Sequence, residues 1–176
     1  MLLKYTELFL LLLLSVLSDS FTYKIKNIIV LPFLFLGFVT NLLLYRFSGA
    51  TDSFLGVILP FALLILFYAL RMLGAGDIKL FCGIGSIMGV VFLLNTLAYS
   101  FLFGGLLAMA IMLLRHNSKQ RFLHLYKYIR VSFFTLSFMP YTIFENKSDG
   151  SKFHFSYAII LGVIFTVYLS YSTYRV

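Results

Sequence analysis

Tryptophan is absent from the 176 residues, cysteine occurs once, and only 11% of the chain is charged, with six acidic residues in all. The single cysteine, Cys82, has no partner within the chain, which excludes an internal disulfide framework and a thiolate metal cluster. The three histidines, His116, His124 and His154, show no H-E-x-x-H or comparable spacing, so neither a zinc peptidase nor any other metal or cofactor is expected. No repeat of 20 to 50 residues and no Pro- or Ser-rich linker divides the chain, so residues 1–176 are expected to form a single domain.

What the chain has in excess is apolar residues. They make up 61% of it, against roughly 45–50% in a soluble domain, and the mean hydropathy is +1.00. The 21 phenylalanines and 12 tyrosines suit lipid-facing bulk and interfacial anchors rather than a cofactor box. About 20 mainly apolar residues cross a membrane as a helix, and the runs that qualify are Leu2 to Leu17, Ile28 to Tyr45, Phe54 to Leu70, Ile78 to Leu94, Thr96 to Leu114 and Tyr157 to Tyr174. The expected fold is therefore all-α and polytopic, with about six transmembrane helices. The first run could also be read as a secretory signal, but Ser18-Asp19-Ser20 is a poor cleavage site and Glu7 interrupts the charged start, so it is taken as a span. A shorter run, Val131 to Phe144, contains Pro140 and is expected to be interfacial or re-entrant.

The basic residues set the sidedness. Lys24, Lys26, Arg71, Lys79 and the seven from Arg115 to Lys152 fall on one side of a six-span arrangement, leaving Lys4, Arg46 and Arg175 on the other. Cytoplasmic loops are enriched in Lys and Arg, so these basic connections are placed in the cytoplasm and both termini outside. Within residues 115–130, Phe122, Leu125, Tyr126 and Ile129 share one helical face flanked by Lys119 and Arg130, the pattern of an amphipathic helix on an anionic leaflet. Membrane lipid is the expected partner of this stretch, not nucleic acid.

Among the six acids, Asp19 and Asp77 stand at the cytoplasmic ends of apolar segments, where the topology allows them to meet. Carboxylates at that depth are costly and point to function, although helix capping is the plain alternative for each. Asp77 closes the run Gly74-Ala75-Gly76-Asp77, in which two glycines allow a close backbone neighbour and leave room for an extended peptide beside the acid. Gly85 and Gly89 form a GxxxG that would let another helix pack closely, either within the chain or in a homodimer.

GxGD followed by Lys79, together with Asp19 ahead of Lys24-Ile25-Lys26-Asn27, resembles the type IV prepilin peptidases of bacteria and their archaeal preflagellin relatives. The likeness implies a six-span aspartic peptidase of the bacterial inner membrane with its active site facing the cytoplasm and nearly the whole chain involved. Asp19 and Asp77 would be the catalytic pair, and Gly74, Gly76, Lys79 and Asn27 would complete the motif. Lys79 itself is expected to meet lipid phosphate or solvent, as a lysine near a membrane interface commonly does. Two departures are visible. Lys26 stands where the family usually has proline, which puts the local turn in doubt, and the proline-rich segment near the C-terminus is reduced to Met139-Pro140-Tyr141.

The implied substrate is the precursor of a type IV pilin or pilin-like protein, with a short basic leader ahead of an apolar helix. Larger family members carry paired CxxC motifs and also methylate the new N-terminus; Cys82 alone cannot supply those motifs, so peptidase activity without methyltransferase activity is expected. Presenilin-type proteases share GxGD, but their Pro-Ala-Leu signature is missing here. A small ion- or proton-coupled transporter using Asp19 and Asp77 as binding carboxylates is the rival from another class.

Overall fold

A computed structural model describes residues 2–22, 25–70, 73–114 and 155–173. The expected amphipathic stretch at 115–130, the segment 131–144 and all three histidines lie outside the described residues. The described part is all-α: α1 (Leu2–Thr22), α2 (Asn27–Ala69), α3 (Ala75–Met88), α4 (Val90–Leu114) and α5 (Phe155–Thr173).

A continuous α2 would be about 65 Å long at 1.5 Å per residue, twice the roughly 30 Å hydrocarbon layer. It is broken at Arg46, where φ is 55° and ψ −136°. Contacts with α3 show that the chain doubles back there. Along the arm before Arg46, partners on α3 rise with the sequence: Asn27 meets Lys79, Leu34 meets Ser86 and Gly37 meets Ile87. Along the arm after it they fall, since Ser53 meets Ser86, Gly56 meets Gly85 and Val57 meets Cys82. α3 thus lies between two antiparallel arms.

The closest approach is glycine on glycine. A Cβ added at Gly56 or Gly85 would collide with the backbone oxygen of the other, so the second arm of α2 and α3 cross with no side chain between them. Gly85 therefore packs within the chain, as one of the two alternatives for the GxxxG anticipated. Gly89 lies against Asp52 of the same arm. Its φ of 92° ends α3, and the Asp52 carboxylate accepts the Val90 N–H at 3.1 Å to start α4. The expected fourth span, Ile78 to Leu94, is interrupted there because a positive φ is a conformation glycine adopts without a Cβ penalty.

α4 and α5 pack antiparallel, with Thr96 against Thr166 at 3.3 Å, Ser100 against Gly162 and Gly104 against Phe155. Phe67, Phe101 and Phe155 link the second arm of α2, α4 and α5 through ring contacts of 5.6 and 5.7 Å. The interior mixes Leu and Ile with Asn41, Ser53, Ser86, Thr96, Ser100 and Thr166, whereas Leu43, Phe47 and Phe35 are at least 70% exposed. Small and polar residues inside with bulky apolar ones outside is the distribution of helices packed in lipid.

Three described helices are long and apolar enough to cross a membrane: α2, residues 90–111 of α4 and residues 155–172 of α5. These three support membrane crossing but not, by themselves, the expected count of about six. α3 has 14 residues, about 21 Å of helix, and α1 carries Lys4, Glu7 and Asp19 among its leucines. An all-α membrane protein is what these helices support.

Candidate active site

α1 runs from the Arg46 end of the bundle to the opposite end. Lys4 sits over the Tyr45 ring at 4.6 Å, Thr40 donates to Glu7 at 2.6 Å, Leu11 packs on Gly83, and Asp19 in the last turn meets Ser156 of α5. α3 starts at that same opposite end, so its first turn brings Asp77 into electrostatic reach of Asp19.

Asp77 is the third residue of α3. Its Oδ2 accepts the Gly74 N–H at 3.2 Å, closing the helix start, and the Asp77 N–H donates to the Gly74 carbonyl at 3.1 Å. Asp77 is thus a cap as well as a member of the acidic pair. Gly74 is exposed, with extended φ and ψ of −77° and 147°. Gly76 is the close-packed glycine of the motif: a Cβ there would lie 3.2 Å from the Ile25 Cβ.

Ile25 is buried against this turn, and that placement brings Asn27 to Lys79, whose Nζ donates to Asn27 Oδ1 at 2.7 Å. Lys79 is exposed, as its expected solvent or lipid contact requires, yet it also ties the starts of α2 and α3 together. The doubt raised by Lys26 is answered by its backbone. Its φ of −74° is one a proline ring would impose, with ψ extended at 139°, so the turn into α2 forms without the ring.

The structure therefore gathers Asp19, Asn27, Gly74, Gly76, Asp77 and Lys79 at one end of the bundle, on the last turn of α1 and the starts of α2 and α3. The sequence reasoning missed the start of α5. Ser156 donates its hydroxyl to Asp19 Oδ2, and Ser20 and Tyr157 pair their hydroxyls at 3.1 Å. Both contacts join residues 137 positions apart, and a serine opening an apolar run carries no periodic signal that marks it.

Two carboxylates held close together do not both ionise cheaply, which is the chemistry that acid–base pairs of carboxyl groups use. Fold and site together define a helical membrane protein with an acidic pair at one end. The sequence profile of the type IV leader peptidase family matches residues 7–109, more than half of the chain and a span that contains both aspartates. The chain belongs to the type IV leader peptidase family and is a leader-peptidase-like protease. The match stops short of the nearly whole-chain likeness expected, ending within α4. No curated protein and no solved structure matches the chain.

Proposed function

We propose that this chain is a membrane aspartic endopeptidase that removes the short basic leader from type IV pilin or pilin-like precursors at the cytoplasmic face of the bacterial inner membrane. The observation that carries the reading is that Asp19 in the last turn of α1 and Asp77 in the first turn of α3 stand at the same end of the bundle, both inside the family match. One carboxylate takes a proton from water, which attacks the scissile carbonyl; the other, protonated, polarises that carbonyl and then protonates the departing amine. The C–N bond breaks, and the products are the leader carboxylate and the free N-terminus of the mature protein.

Six passes, made by α1, the two arms of α2, α3, α4 and α5, with the basic connections in the cytoplasm, would place the pair where a precursor helix presents its leader. The exposed Gly74 beside Asp77 supports access for an extended peptide. With Cys82 as its only cysteine, the chain holds no paired CxxC motif, which supports cleavage without N-methylation.

The test is co-expression with a prepilin-like precursor, read as a size shift on a gel, with wild type, Asp19→Asn and Asp77→Asn at equal membrane levels. Asn keeps an oxygen that can accept the Gly74 N–H but cannot share a proton. Cleavage by wild type and loss in each variant is the expected result. Cleavage by both variants would reduce the aspartates to helix caps; no cleavage by wild type, with a proton or cation flux that both variants abolish, would favour the transporter.

A further inference from the structure

We propose that Ser156 is a positioning residue for Asp19, supplied by α5, an element outside the residues 7–109 that define the family match; the proposal rests on the peptidase reading above. Ser156 is the second residue of α5 and only 1% exposed. A serine in a helix commonly bonds its oxygen to local backbone groups. Here its hydroxyl reaches Asp19 on α1 instead and donates to Oδ2.

The contact is built into the packing. Ser20 and Tyr157, the next residue on each helix, pair beside it at 3.1 Å, so two successive contacts join the last turn of α1 to the first turn of α5. Phe155, immediately before, lies against Gly104 and meets the Phe101 ring in a tilted contact at 5.7 Å, which fixes the start of α5 on α4. Asp77 is oriented by its own helix start through Gly74. Asp19, in a last turn that offers carbonyls rather than N–H groups, has Ser156 holding Oδ2 from α5, while α3 packs on α1.

Reacting groups displaced by about 1 Å lose on the order of 100-fold in rate, so removing the hydroxyl should lower turnover without altering precursor affinity. The experiment compares kcat and KM for cleavage of a purified precursor in vesicles by wild type, Ser156→Ala, Ser156→Cys and Tyr157→Phe, with melting temperature measured for each. Ser156→Ala is expected to lower kcat about 10- to 100-fold with KM within about twofold. Ser156→Cys keeps the volume with a weaker donor and should fall in the same direction, giving the answer if the alanine variant fails to fold. Tyr157→Phe, which removes the hydroxyl paired with Ser20 and leaves the Ser156 hydroxyl in place, should keep kcat within about threefold of wild type.

Unchanged kcat in both Ser156 variants overturns the proposal, as does an equal loss in Tyr157→Phe, which would make docking of α5 the cause. A rise in KM with kcat intact overturns it too, because Ser156 would then contact the precursor. Wild type that cuts no precursor overturns the peptidase reading itself, an outcome distinct from wild type that cuts and Ser156 variants that cut equally well.

Discussion

Lys26 shows how one residue can leave a family's sequence pattern and keep its geometry. Its φ of −74° is one that proline would fix in advance. Lys26→Pro should therefore fold and stabilise the protein by about 0.4–1 kcal/mol through the unfolded chain, read as a raised melting temperature in detergent; a lower one would show that the Lys26 N–H is needed. Asn41 is a buried residue of a different kind, 1% exposed, whose amide nitrogen reaches the carbonyls of Gly37, Ser86 and Ile87 at 2.9, 2.8 and 3.0 Å. Two of these belong to the last turn of α3, where carbonyls lack helical partners. Asn41→Ala should cost about 1–3 kcal/mol and Asn41→Asp more, since a carboxylate faces those carbonyls without a donor; equal melting temperatures for both and wild type would contradict this. Asp19 and Asp77 were legible in the sequence because an acid ending or opening an apolar run is conspicuous. Asn41 and Ser156 were not, since a lone Asn or Ser in a long apolar pattern gives no hint of the helix it will meet.

Among the elements, apolar run length located most of the helices, but hydropathy is blind to the turns between them. Met88-Gly89-Val90 reads as continuous apolar chain, and only the backbone shows that Gly89 ends one helix and Asp52 starts the next. In the same way Arg46 sits inside what local hydrogen bonding makes a single helix, yet the partners on α3 reverse direction on either side of it. The glycines of these elements are not interchangeable. Gly85→Ala drives a methyl into the Gly56 backbone and should destabilise by about 1–3 kcal/mol or more, with loss of folded protein on gel filtration. Gly105→Ala, in α4 with no atom within 4 Å of the added carbon, should be neutral or stabilising by up to about 1 kcal/mol. A reversal of that order would contradict the packing of α3 against α2.

For the whole molecule, the arrangement puts the acidic pair at one end of the bundle and Lys4, Glu7, Thr40, Tyr45 and Asp52 towards the other. The proposed orientation assigns the first end to the cytoplasm. Cysteines placed singly at Asn27 and Ser48 of a Cys82→Ser background should then label with a membrane-impermeant thiol reagent from opposite faces, Ser48 in intact cells and Asn27 only after the inner membrane is opened. The opposite result would invert the topology and remove the leader of a cytoplasmic precursor from reach of Asp19 and Asp77.

The central claim is that Asp19 and Asp77 act as one unit, and the most direct test is the kcat/KM for precursor cleavage by wild type, each single Asn variant and the double variant in the same vesicles. Residues that act together are strongly non-additive, so each single change should lower kcat/KM at least about 1,000-fold and the double variant should fall no further. A single variant that cuts at close to the wild-type rate, or a double variant whose loss is the product of the two single losses, would contradict a shared-proton pair.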